Sequence, residues 1–113
     1  MELRGEGKLL RILIGEADEH DGRPLYEAVV LKAREFGMAG ATVVRGIEGF
    51  GASSVLHTAR ILRLSEDLPI VIEMVDVAAR IDAFVDAVAP MIREGIMTTE
   101  RVEIVKYEGR KDR

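Results

Sequence analysis

The sequence predicts an α+β domain of the ferredoxin-like kind: a split β-α-β sandwich with a four-stranded antiparallel sheet and two helices on one face. Three observations carry that prediction. Periodic segments follow the order β-α-β, long loop, β-α-β, in two halves of similar length. Apolar residues alternate in the first and third strands and recur at helical spacing in both helices. At 113 residues the chain holds one domain with a modest core.

Each element has its own signal. Lys8–Gly15 (K-L-L-R-I-L-I-G) reads as a strand with Leu10, Ile12 and Ile14 on one face. Glu16 to Arg23 is a polar connection, and Pro24 suits the first turn of a helix. Leu25, Val29, Ala33 and Phe36 give that helix its apolar stripe, and Gly37 is a natural stop. Ala41–Arg45 follows as a β-branched strand. Ile70–Val75 is the third strand, and Asp76 is placed to cap a helix striped by Val77, Ile81, Phe84, Val85, Val88 and Ile92. Pro90 should end or kink that helix, and a fourth strand is expected around Val102–Tyr107. The domain is thus expected over 8–107, with flexible ends at 1–7 and 108–113.

Two helices cover only one face of such a sheet. The first strand offers Leu10/Ile12/Ile14 or Leu9/Arg11/Leu13, and the third offers Ile70/Ile72/Met74 or Val71/Glu73/Val75. Either choice leaves an apolar face broken at most by one mid-strand charge, more than a monomer usually exposes. A closed homo-oligomer is the expected solution. The first and third strands are neighbours in this topology, so Arg11 and Glu73 are positioned to pair.

Composition narrows the function. The net charge is −4 and the cations are dispersed, which argues against nucleic acid as the main partner. Cysteine is absent, excluding disulfides, thiolate metal sites and Cys nucleophiles. No apolar run approaches the roughly 20 residues of a membrane span, so direct membrane insertion is not expected. The start M-E-L-R-G-E-G lacks a signal-peptide apolar region, and a cytoplasmic location is expected. Asn and Gln are also absent and Arg outnumbers Lys 12 to 4, a pattern of heat-adapted or GC-rich sources.

The most informative stretch is Gly46–Asp67, 22 residues between the second and third strands. Structureless loops beyond about 12–15 residues usually bind something or are disordered. Gly46, Gly49 and Gly51 are expected to take positive φ and to let the backbone approach a ligand. The G-x-x-G-x-G spacing is neither a Walker A loop nor a dinucleotide fingerprint. Its backbone amides suit a phosphate or other anion; a sharp exit from the strand would need the same glycines. Ser53–Leu64 has helical character, suited to docking a partner or placing His57, Arg60 and Arg63 near an anion. A mobile loop is its plainer reading.

Nothing here assembles a catalytic or metal site. His57 and His20 lack a second ligand at metal spacing and read as surface residues. The acidic turn Glu16–Asp21 lacks the alternation of a calcium loop and reads as a solvated turn. Ser53, Ser54 and Thr58 have no assigned base. The chain is therefore expected not to be an enzyme, and to need neither metal nor cofactor.

G-A-T-V-V-R-G-I-E-G-F-G, then H-T, L-R-L-S-E-D-L-P-I-V-I-E-M-V-D and V-E-I-V-K-Y together resemble the PII-like family catalogued as domain of unknown function 190, over nearly the whole span from Lys8 to Tyr107. More distantly, T-V followed by G-F-G, L-P and a V/I-E strand is similar to the PII nitrogen-signalling proteins. That resemblance implies a trimer of ferredoxin-like subunits with adenine nucleotides (ATP, ADP or AMP) in the clefts between them. It also implies a long loop, here 46–67, that docks on a transporter, channel or enzyme. Gly49, Phe50 and Gly51 match the glycine-rich loop base whose amides approach phosphate, with Gly46 just before it. Thr42 matches the second-strand threonine near the adenine, although this chain has one extra residue between Thr42 and Gly49. Arg45, His57, Arg60, Arg63 and Lys106 are candidate phosphate or partner contacts. The lysine that follows L-P in PII is replaced by Ile70, and A-S-S stands where a glutamine follows G-F-G, so the PII style of magnesium and 2-oxoglutarate binding is not implied. The loop has no tyrosine, and nucleotidylation there is not implied either. Two rival readings stay open: a small cofactor-free enzyme using His57 and Glu48, and a purely structural trimer.

Overall fold

The computed structural model describes residues 4–50, 57–58 and 67–109. Its elements are β1 (Gly5–Gly15), β2 (Glu19–His20), β3 (Arg23–Pro24), α1 (Leu25–Phe36), β4 (Thr42–Arg45), β5 (Glu48–Gly49), β6 (His57–Thr58), β7 (Pro69–Val77), α2 (Ala78–Val88), a 3₁₀ turn (Ala89–Met91) and β8 (Ile96–Ile104). The main sheet has the order β4-β7-β1-β8, antiparallel throughout. This is the α+β, ferredoxin-like arrangement expected from the sequence.

Period-two alternation sets the core. Leu10, Ile12 and Ile14 on β1 and Ile70, Ile72 and Met74 on β7 are buried. They pack with Leu25, Val29 and Ala33 of α1 and Ile81, Phe84 and Val88 of α2. Phe36 meets Phe84 edge-on at 5.4 Å between ring centroids, a geometry the ring quadrupoles favour. The opposite face carries Leu9, Arg11 and Leu13, in register with Val75, Glu73 and Val71. Arg11 Nε donates to Glu73 Oε2 at 2.7 Å, the cross-strand pair anticipated from the sequence, and Arg11 Nη1 lies 3.6 Å from Glu100. That hydrogen bond and the Glu73 charge hold the Arg11 proton more tightly than usual.

Several expectations need correction. β1 begins three residues before Lys8, at Gly5. The Glu16–Arg23 connection contains a small ribbon, β2–β3, whose Asp21-Gly22 turn has both residues at positive φ (52° and 82°), as a two-residue hairpin demands. Pro24 is the N-cap of α1, one place before the helix. Asp76 does not occupy the N-cap of α2; Val77 does. Asp76 sits just outside, fully buried, and its Oδ1 accepts the Val77 N–H at 2.7 Å.

The fourth strand lies at 96–104 rather than around 102–107. It is an edge strand, and its T-T-E-R centre pairs with β1 through the backbone while its side chains stay exposed. The described residues of the 46–67 stretch are not structureless throughout. β5 and β6 pair within it, with Glu48 opposite Thr58 and Gly49 opposite His57. Residues 57–58 are therefore strand, where helical character was expected; residues 53–56 and 59–64 of that expectation lie outside the described residues.

Candidate functional site

Where β4 begins, the open face of the sheet turns concave. The hollow, of about 460 Å³, lies between the Ala39–Thr42 connection and the Ile104–Tyr107 segment that leaves β8. Leu9 and Val75, opposite one another on β1 and β7, and the carboxylate-bearing Glu73 also line it. Thr42 arrives here because its register partner on β7 is Glu73. Lys106 and Tyr107 arrive because β8 ends at Ile104 and the chain then turns across the end of the sheet. An apolar floor with a hydroxyl, a phenol, an ammonium and a carboxylate around it suits a flat, polar, anionic small molecule.

The connection that forms one wall is firmly tied. Gly37 closes α1 in the left-handed conformation (φ 83°), and Met38 N–H donates to Ala33 O at 3.0 Å. Arg80 of α2 reaches the Phe36 and Gly37 carbonyls at 3.4 Å each. Ala39 N–H donates to Asp76 Oδ2 at 2.9 Å, and the Tyr107 hydroxyl donates to Ala39 O at 3.2 Å.

Of the residues singled out in the sequence, the structure brings Thr42 and Lys106 into this hollow. Lys106 Nζ lies 3.5 Å from Glu108, with both side chains largely exposed. Arg45, on the same strand as Thr42, bonds Glu16 at 3.1 Å and is outside the hollow. Gly46 and Gly49 do not have positive φ. Their need for glycine is steric: a Cβ would stand 2.8 Å and 2.9 Å from the Pro69 Cγ. Gly46 N–H also donates to Pro69 O at 2.7 Å. The close approach expected toward a ligand is thus made to a neighbouring proline ring. Phe50 is 76% exposed. Gly51, Arg60 and Arg63 lie outside the described residues, as does the His57 side chain. The β5–β6 register sets Glu48 across from Thr58, not from His57, so the backbone does not oppose the acid–base pair weighed for an enzyme.

Sequence reasoning missed Glu73 and Tyr107 as lining residues. Glu73 was visible only as the partner of Arg11. Tyr107 meets Ala39 across 68 positions, a separation with no local signal. No group of three or more His, Cys, Asp or Glu positioned for a metal occurs among the described residues, and no helix among them is long and apolar enough to cross a membrane.

The fold is the one found in PII-like proteins. Solved structures of CPII, a nitrogen regulatory PII-like protein from Thiomonas intermedia K12, share the architecture. The form bound to ADP, AMP and bicarbonate is 18% identical with a TM-score of 0.66, covering 88% of each chain. CutA from Synechococcus elongatus PCC7942, complexed with Bis-Tris, shares it more loosely: 7% identity and a TM-score of 0.56, over 96% of this chain and 90% of that one. The family is closer. Residues 7–104 match the DUF190 model, described as Uncharacterized ACR, and the chain belongs to that family. A UPF0166 protein of Aquifex aeolicus (strain VF5) is 34% identical over 98 residues, 87% of this chain and 92% of its own. The UPF0166 protein MJ1524 of Methanocaldococcus jannaschii is 33% identical over 104 residues, 91% of this chain and 95% of its own.

Proposed function

We propose that this chain is a PII-like regulator without catalytic activity. It binds a small anionic ligand, an adenine nucleotide, at clefts between the subunits of a cytoplasmic homotrimer. It signals to a protein partner, a membrane transporter, channel or enzyme, through residues 46–67. The observation that carries this reading is the hollow at the start of β4, where Thr42, Lys106 and Tyr107 surround an apolar floor. The CPII structures with ADP and AMP support it, because the same fold there holds the same ligand class. Thr42 would meet the base and Lys106 the phosphates. Gly49, Phe50 and Gly51 would close the site from the loop base. His57, Arg60 and Arg63 would contact phosphate or partner, and Arg45 would do so on leaving Glu16. Ligand would favour one arrangement of the loop, and the partner would read that arrangement.

Calorimetry with AMP, ADP and ATP tests the reading. Wild type should bind at least one of them. Thr42→Val and Lys106→Ala should each weaken binding, and Gly51→Val should abolish it. Absence of binding by wild type would end the nucleotide reading; equal affinity in wild type and all three variants would remove this hollow and the loop base from it.

A further inference from the structure

The wall of the hollow is clamped from two sides at one residue. Ala39 gives its N–H to Asp76 Oδ2 at 2.9 Å and takes the Tyr107 hydroxyl on its carbonyl at 3.2 Å. The two holders differ in kind. Asp76 is fully buried, its other oxygen accepts the Val77 N–H, and Arg80 Nε lies 3.8 Å away. It joins the wall rigidly to the start of α2. Tyr107 is only part-buried and comes from the segment beyond β8. That segment crosses from the β8 edge to the side of the sheet where β4 begins, and it forms the opposite wall. The phenol therefore joins the two walls of the hollow to each other.

We propose that Tyr107 and Asp76 are positioning residues of the ligand site: together they hold Ala39, and through Gly40 and Ala41 they set where Thr42 stands relative to Lys106. This rests on reading the hollow as the ligand site. Side chains that present a ligand are only as well placed as the hydrogen bonds supporting them. Here one support is fully buried and the other is part-buried and can be released. A part-buried phenol that loses its carbonyl can bond water instead, so release costs the fold little. It does cost the site its width. Tyr107 thus acts on binding rather than on folding, and Asp76 acts on both.

The test uses full-length protein and the variant Tyr107→Phe, which removes only the hydroxyl. Tyr26→Phe is the control, because it removes the other tyrosine hydroxyl of the chain, away from the hollow. In ligand-free protein, amide exchange at Ala39 should quicken about fivefold or more in Tyr107→Phe, with core amides such as Val29 and Ile72 unchanged. Titration with AMP and ADP should show about three- to tenfold weaker binding, while the melting temperature stays at the wild-type value. Tyr26→Phe should change neither. Asp76→Asn, if it folds, should quicken the same amide and weaken the same binding; if it does not fold, Tyr107→Phe alone decides. Unchanged Ala39 exchange in Tyr107→Phe overturns the clamp. Faster exchange with unchanged affinity overturns its role in binding. If wild type binds neither nucleotide, the nucleotide reading falls separately, and the exchange measurement still decides the clamp.

Discussion

Glycine 46 has two possible reasons to be glycine, and the structure separates them. Backbone freedom is not needed there, since its φ is not positive. Room is needed, because Pro69 Cγ would lie 2.8 Å from an added Cβ and the ring is part of β7. Gly46→Ala should therefore destabilise the fold by about 1–3 kcal/mol, the usual cost of overpacking, as read by urea melts. Full stability in that variant would mean that the strand end relaxes freely and that the glycine serves something else. Arg11 and Glu73 make a second case. Their 2.7 Å bond crosses two central strands of the exposed face. Reversing either charge puts like charges opposite one another, which is destabilising. Arg11→Glu and Glu73→Arg should each lower the melting midpoint, and the double exchange should recover most of the loss. If the double exchange is no better than the singles, the pair does not act as a pair.

Among the elements, the β5–β6 pairing changes what the 46–67 stretch is. Two residues of one strand on two of another is a small ladder, and such short pairings open at low free-energy cost. Amides at 48–49 and 57–58 should exchange quickly without ligand and slow when an adenine nucleotide binds the loop base. Protection throughout, unchanged by any nucleotide, would make the stretch a fixed element and leave the proposed signal without a mover. How much was legible in the sequence follows the same physics. Strands β1 and β7 were legible because one face is buried, so their alternation is strong. Strand β8 was misplaced because an edge strand with exposed Thr98, Thr99, Glu100 and Arg101 writes no alternation into its sequence. Thr42 and Lys106 were picked out, yet the hollow that unites them was not, since it depends on how β8 ends. The buried Asp76 looked like a helix cap; its second bond, to Ala39, exists only once α1, β7 and α2 are in place.

At the scale of the whole molecule, the described residues leave one face of the sheet unpartnered. Leu9, Leu13, Val71 and Val75 lie on it, with Val44 at 51% and Ile96 at 59% exposure along its edges. The Arg11–Glu73 pair crosses its middle, so the charges there already satisfy one another and can be covered together. A monomer gains nothing from such a face, whereas the proposed closed trimer would bury it in every subunit. Light scattering at micromolar protein should give a mass near three subunits. Ile96→Asp should lower that mass, because its carboxylate would be desolvated in the assembly but remain hydrated in the separate subunit. Leu31→Asp, at an exposed position of α1 away from the sheet, should leave the mass unchanged. The apolar floor of the hollow belongs to this same face, through Leu9 and Val75. Assembly and ligand binding should therefore be linked: Ile96→Asp should weaken nucleotide affinity although Ile96 does not line the hollow. A wild-type protein that stays monomeric at every concentration would remove both the trimer and the intersubunit cleft. A trimer whose dissociation leaves affinity unchanged would place the whole site within one subunit.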